Sequence, residues 1–294
     1  MAFVTRQIGL RFELGIGQFG ADGLNIVEFS GLRCQADIAK PGGGSMSRLD
    51  LRVWGMPLDV MRKLTVLNSL FFGARLNQIT VSAGDAGQPL AVVFDGTITE
   101  AWADLQAAPD AAFVVTAMTG YVASVRPVAP VSFKGSVDVA ELLASIASTI
   151  DPPLGIENSG VKARLLNPYY PGTAMDQIRA VARDAGINAL IDGNTLAIWP
   201  TFASRGALVP VIAPETGLIG YPAFTQNSIR LRTLFNPTLA HGQRVEVHSL
   251  VEQANGQWNV ANITHNLSAE LPGGPWFTDL ECGYLGAALP VVTS

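Results

Sequence analysis

The chain has 294 residues, 48% of them hydrophobic and 15% charged, with a net charge of −5. Such a composition excludes a disordered chain and leaves room for two or three domains with cores of their own. The acidic balance argues against binding that neutralises nucleic-acid phosphates, and the sparse charge fits a subunit covered on several sides.

The first residues, MAFVTRQIGLRFEL, place charges where the apolar core of a signal peptide would sit, and no window approaches the ~18 uninterrupted apolar residues of a membrane helix. A protein made in the cytoplasm with no membrane span is expected. Gly15-Ile-Gly17-Gln-Phe-Gly20 matches the dinucleotide fingerprint in form, with Asp37 downstream. A Rossmann site needs a helix starting in that loop, however, and Ala21-Asp22-Gly23 leads straight into strand-like NIVEF, so a Gly-rich β-hairpin loop is expected instead. Cys34 and Cys282 are isolated and read as buried small hydrophobes. In SRLDLRVW, Leu49, Leu51 and Val53 alternate with polar residues as in a half-buried strand. Pro57, Met61, Leu64 and Leu67 predict a helix over about 57 to 68, and strands resume at LNQITVSAG and PLAVVFDGTITEAWADL.

From about residue 135 the period changes from two to near 3.6. Ser136 is placed to cap a helix with the stripe Val139, Leu142, Leu143, Ile146 and Ile150, stopped by Asp151-Pro152-Pro153. Thr173-x-x-Asp176 forms a capping-box pattern before Met175, Ile178, Val181 and Ala182, with Gly186 as the stop and NALIDGNTLAIW as a hairpin.

The last third, from Thr216 to Tyr284, alternates strand patterns with Gly, Pro and Asn, as in a small β-barrel. Asn255-Gly256 predicts a two-residue type I′ turn. That register sets Ala254 opposite Gln257, Val251 opposite Val260, His248 opposite Ile263 and Glu246 opposite His265. Glu246, His248 and His265 then share one face as a candidate metal site, weighed against an ordinary solvated hairpin face. No Gly-x-Ser-x-Gly elbow, His-Glu-x-x-His or P-loop occurs. Two carboxylates suffice for glycoside hydrolysis, and Asp95, Glu100, Asp104 or Glu270, Asp279, Glu281 are the available sets. Trp54, Trp102, Trp199, Trp258 and Trp276 each sit in a strand pattern and read as core or interface anchors before a sugar platform. A faint repeat links the two β-rich ends: Ile98-Thr99 leads to Gly120-Tyr121 as Ile263-Thr264 leads to Gly283-Tyr284.

These blocks, in this order, resemble the phage baseplate hub family, the Mu-like tail hubs related to the hub portion of type VI secretion spikes. The similarity is carried by FKGSVDVAELLASIA, PGTAMDQIRAVARDAGINALIDGNTLAIWP, TGLIGYP, LFNPTLAHGQRVEV, NGQWNV, ITHNLS and PWFTDLEC. In single residues these blocks contain Gly217, Gly220, Pro222, Asn236, Pro237, Gly242, Asn255, Gly256, Trp258 and Trp276. The resemblance implies a β-rich α+β fold with two tail-tube-like β-barrel domains, 1–134 and 204–294, and an intervening helix-and-hairpin α+β module at 135–203. It implies a homotrimeric, non-enzymatic ring in the virion with no cofactor, joining a sixfold tail tube to a threefold central spike and letting DNA pass. The implied partners are the tail tube protein, the spike or tip protein, other baseplate proteins and a tape measure protein. A tail-associated cell-wall or glycan-active hydrolase is the alternative, and a glycan-binding module a third reading.

Overall fold

The computed structural model describes residues 5–20, 22–67, 76–106 and 108–284. The N-terminal part contributes β1 (Arg6–Glu13), β2 (Ile26–Ser30), β3 (Cys34–Lys40), β4 (Arg48–Trp54), the short helix α1 (Leu58–Leu64), β5 (Gln78–Asp85), β6 (Ala91–Asp104), β7 (Ala112–Met118) and the one-turn helix α2 (Tyr121–Val125). In the middle lie β8 (Val131–Ser132), β9 (Ser136–Asp138), α3 (Val139–Ala147), β10 (Gly155–Asn158), β11 (Arg164–Leu166), β12 (Tyr169–Tyr170), α4 (Ala174–Ala185), β13 (Ile187–Asp192) and β14 (Thr195–Pro200). The C-terminal part adds β15 (Val211–Ile212), β16 (Leu218–Phe224), β17 (Ser228–Leu234), β18 (Arg244–Val247), β19 (Gly256–Ala269) and β20 (Trp276–Tyr284).

The molecule is mostly β, and 13 strands form one hydrogen-bonded sheet. Its N-terminal strands lie in the order β1-β5-β6-β7-β4-β3 and its C-terminal strands in the order β15-β18-β19-β20-β17-β16. Numbered along the chain, the two paths are the same path. They differ in the extra edge strand β2 beside β1 and in the parallel pairing of β15 with β18, where β1 and β5 are antiparallel. The faint sequence repeat falls on equivalent hairpins: β6 and β19 each have 14 residues and each carries a bulge, between Ile98 and Glu100 and between Val260 and Asn262.

The two strand sets are joined edge to edge. β3 pairs with the C-terminal half of β19 from Cys34 opposite Ala269 to Lys40 opposite Ile263, while the start of β19, Gly256–Asn259, pairs with β18. Leu267 and Ala269 therefore pack into the N-terminal core with Phe12, Leu49, Leu51 and Phe113, whereas Val260 and Ile263 pack into the C-terminal core with Ile229, Val245 and Leu280. A third core, of α3, α4 and the β13–β14 hairpin, is built from Val139, Leu142, Leu143, Ile146, Ile178, Val181 and Leu196.

The alternation in SRLDLRVW places Leu49, Leu51 and Val53 inside, as its period requires. Thr173 and Asp176 close the full capping box of α4, and Gly186 ends it in the left-handed conformation at φ 63°. α1 is shorter than its pattern: Pro57 is the N-cap, and Thr65 leaves the helix because Val66 bridges Ala101 of β6, so Leu67 is exposed and nonhelical. Residue 68 lies outside the described residues. α3 is capped by the Asp138 carboxylate accepting from Ala140 N–H and not by Ser136, which belongs to β9 and pairs with Leu166.

The Asn255-Gly256 turn is also corrected. Asn255 keeps φ −70° and holds the loop by accepting from Ser249 N–H at 2.6 Å and donating to Ser249 C=O at 3.1 Å. β18 and β19 are thus joined through an eight-residue loop, 248–255, and Glu246 stands opposite Gln257. The expected register required the edge of β19 near His265, and β3 occupies that edge. Pairing with a strand more than 200 residues away outcompetes a local turn preference because it completes two cores at once.

Truncating Leu267, fully buried where β19 leaves one core for the other, is expected to cost about 2–5 kcal/mol. Urea denaturation of Leu267→Ala measures it, and a loss below ~1 kcal/mol would contradict the packing described.

Candidate functional site

Of the three residues expected to share a face, Glu246 and His248 meet and His265 lies apart. His248 Nε2 lies 3.0 Å from Glu246 Oε1 on the exposed side of the 248–255 loop. His265 is 1% exposed, shares a hydrogen bond between Nδ1 and Thr278 Oγ1 at 3.0 Å, and meets the edge of Phe235 at 5.7 Å. Burial, with Lys40 nearby, pushes its pKa down to about 3. Among the described residues no group of three or more His, Cys, Asp or Glu side chains is placed to hold a metal.

The other motif residues shape backbone and contacts. Gly217 ends a short 3₁₀ turn at φ 107°, and Gly220 and Pro222 occupy the bulge of β16. The Asn236 carboxamide accepts from Thr238 N–H and Oγ1, turning the chain at Pro237. Gly242 adopts φ 80°, and a Cβ there would stand 2.5 Å from Trp199 Cζ2. Trp258 donates to Ala254 C=O at 2.9 Å, while Trp276 packs against Phe235 at 5.2 Å. All five tryptophans lie in strands, but Trp199, Trp258 and Trp276 are buried, so they form no exposed sugar platform. Both cysteines are buried and free, and burial pushes each thiol up to about 12.

The outer side of the sheet is a mostly polar face crossing both strand sets, interrupted by Ala39, Met118, Leu234 and Phe277. One row of register partners runs Arg232, Asp279, Thr264, Ala39, Arg48, Met118; the next runs Leu234, Phe277, Asn266, Asp37, Asp50, Thr116, Glu100. Its charges are largely paired within the face. Arg232 grips Asp279 with two bonds of 2.7 and 2.9 Å, and Asn266 donates to the same carboxylate at 3.0 Å. Arg48 holds Asp50 at 2.8 and 2.9 Å, with Thr116 donating at 3.1 Å. Asp37, directly opposite Asp50, has its pKa raised by burial and by that neighbouring charge, against the Gln35 amide. Hydrogen bonds from Ser228 and Asn262 hold the Glu281 carboxyl below its ordinary value.

A partly buried polar joint links the module to the N-terminal strands and to the segment entering the C-terminal ones. Arg205, in the segment entering the C-terminal strands, donates to Glu157 of β10 at 2.8 to 3.2 Å and to Asp192 of β13 at 2.9 Å. Asp192 also takes Lys40 of β3 at 3.3 Å. Burial disfavours the charge on Asp192 and on Arg205, yet their partners outweigh it, lowering the pKa of Asp192 and raising that of Arg205. Sequence reasoning missed this joint; Arg205 stands alone in a Gly- and Ser-containing linker, and no local spacing marks its partners. His241 packs edge-on to Trp199 at 5.8 Å beside it, and burial lowers its pKa.

Because His265 is buried neutral, the unfolded chain binds its proton more readily, so stability is expected to fall as pH drops from about 6.5 toward 3. His241 adds a smaller effect of the same sign. Comparing urea unfolding at pH 7 and pH 4.5, the drop is expected to shrink by about 2–3 kcal/mol in His265→Gln; equal drops in both proteins would refute the assignment. Gly242→Ala is expected to lower the melting temperature and shift tryptophan emission, through the clash with Trp199 and the positive φ. Unchanged melting and emission would count against that contact.

Among known proteins, the chain matches the family described as baseplate hub gp41 over residues 64–282. It is similar in structure to a tail protein from Neisseria meningitidis MC58, at TM-score 0.63 and 10% identity, covering 94% of this chain and 96% of that one. The 43 kDa tail protein of prophage MuSo2 from Shewanella oneidensis gives TM-score 0.55 and 9% identity over 93% and 95% of the two chains. The E. coli c3393 protein, a component of the type VI secretion system, gives TM-score 0.56 and 10% identity over 88% and 77%. A search of curated proteins finds no match. At these identities the structural likenesses establish the fold, a phage tail protein fold, and the family match establishes membership: the chain belongs to the baseplate hub gp41 family, structural proteins of the bacteriophage tail.

Proposed function

We propose that three copies of this chain close into a ring that joins the sixfold tail tube to the threefold central spike, lets DNA pass and catalyses nothing. The observation that carries this reading is the duplicated strand path, β1-β5-β6-β7-β4-β3 repeated as β15-β18-β19-β20-β17-β16. A threefold ring of such chains presents six near-equivalent strand sets, the number a sixfold tube must meet. The units are 1–134 and 204–294, each closing as a tube-like barrel, with 135–203 as an α+β module between them. Gly217, Gly220, Pro222, Asn236, Pro237, Gly242, Asn255, Gly256, Trp258 and Trp276 serve this architecture and no reaction.

The polar face common to both strand sets lines the conduit. Arg232 and Arg48 are each occupied by a carboxylate of the same face, so they offer a passing phosphate backbone little free positive charge. The partners are the tail tube protein above, the spike or tip protein below, and further baseplate and tape measure proteins. The ring assembles in the host cytoplasm; among the described residues no helix is long and apolar enough to cross a membrane. Neighbouring folds in complexes of VgrG with PdpA from Francisella, over 99% of this chain at 6% identity and TM-score 0.54 to 0.55, support association with a spike.

Light scattering on the purified chain, alone and mixed with its tail tube protein, is expected to give three times 31.0 kDa for the hub component. A monomer under both conditions would overturn the ring. Turbidity of a peptidoglycan suspension is expected to stay unchanged with the isolated chain, and sustained clearing would instead establish a hydrolase.

A further inference from the structure

The α+β module carries a strand edge without a neighbour. β8 and β9 run antiparallel to β12 and β11, and the two pairs are spliced into one ribbon where Asn167 N–H donates to Gly135 C=O at 2.8 Å and Gly135 N–H to the Asn167 carboxamide oxygen at 2.7 Å. Each pair is a sheet of two strands. Ala163 C=O accepts from Val139 N–H and Asn167 N–H donates to Gly135 C=O, so both turn their backbone groups toward the β9 side. By alternation Arg164 and Leu166 turn theirs the other way, where no strand pairs with β11. The side chains divide between two faces. Val137, Leu165 and Tyr170 pack into the module core, whereas Leu166 and Tyr169 are 73% and 63% exposed, and Lys162 and Arg164, also exposed, precede Leu166 at two-residue spacing.

The ribbon is basic in an acidic chain. Segments 131–138 and 162–170 hold Lys134, Lys162 and Arg164 against a single carboxylate, Asp138, while the whole chain carries a net −5. Asp138 stands opposite Arg164 but turns its carboxylate to Ala140 N–H at 2.8 Å, and Arg164 donates instead to Ser136 Oγ and C=O, both at 3.0 Å. We propose that the edge at Arg164–Leu166 is a docking strand for an extended acidic segment of another protein. That segment pairs with the outward backbone groups of Arg164 and Leu166, sets carboxylates against Lys162 and Arg164, and lays apolar side chains on Leu166 and Tyr169. Strand addition of this kind draws affinity from main-chain bonds and selectivity from alternate side chains. A second copy makes a poor occupant, because edge against edge it would bring like charges together. Nucleic acid fits less well than an acidic peptide: a phosphate backbone offers no donors to the outward carbonyls and nothing apolar to Leu166.

Amide hydrogen exchange on the full chain, alone and with ~1 mM of a synthetic peptide alternating Glu with Val, tests the docking whether or not the chain forms a ring. The Arg164 and Leu166 amides are expected to exchange fast in the free chain and to slow about tenfold with the peptide, while those of Val139 and Asn167, already bonded within the ribbon, stay unchanged. A peptide alternating Lys with Val is expected to protect neither. In Arg164→Glu the preference between the two peptides is expected to reverse, and in Leu166→Ser the protection is expected to vanish with melting unaltered. Should Arg164→Glu fail to fold, the wild type with the two peptides decides. Slow exchange at both amides in the free chain, no protection by the acidic peptide, or equal protection by both peptides would overturn the docking strand. Protection by single-stranded oligothymidine in place of the acidic peptide would overturn it in favour of nucleic acid.

Discussion

The pairing of β3 with β19 is the constraint on which the rest of the structure depends. A free sheet edge offers a row of unpaired donors and acceptors, and here the edge of the N-terminal strand set is covered by the longest strand of the C-terminal one. β19 turns its first residues toward β18 and its last toward β3, and its inward side chains divide between two cores accordingly. The bulge at Val260 and Asn262 falls at the changeover. An added residue there bends the strand and lets one continuous segment follow two differently curved walls. Asn262 then donates to Glu281 and accepts from Gly42 N–H, so the unpaired stretch is held by side chains where ladder bonds lapse.

That junction also explains what could be read from the chain and what could not. Local signals were legible wherever the physics was local: the alternation of β4, the Thr173–Asp176 capping box and the Gly186 stop need only neighbouring residues. The duplication left only a faint trace: Ile98-Thr99 and Ile263-Thr264 fall mid-strand in β6 and β19, but Gly120-Tyr121 lies past β7 where Gly283-Tyr284 ends β20. The loop after β18 was misread for the opposite reason. Asn255-Gly256 has the right residues for a tight turn, but the edge such a turn would use is claimed by residues 34–40, a competitor no window around Asn255 contains. Ser136 yielded its capping role to Asp138 likewise, since Ser136 is drawn into pairing with Leu166. His265 could be placed in a strand but not on a face until that register was known. The joint at Arg205 was invisible because its four members lie in separate segments.

The electrostatics divides along the same line. On the outer face the ion pairs are exposed and bidentate, worth little to stability, and they cancel charge within the face. At the joint the charges are largely shielded, and they tie the module to the N-terminal strands and to the segment entering the C-terminal ones.

The two strand sets are near-copies, and the departures from identity are informative about a hub. β2 extends the N-terminal set at its β1 edge, the parallel β15 alters the corresponding edge of the C-terminal set, and the α+β module is inserted where one set ends and the next begins. Within one chain the two sets are alike in strand path but unlike at their edges, so they are pseudo-equivalent and not identical. The duplicated path supplies the likeness, and β2, β15 and the inserted module supply the difference.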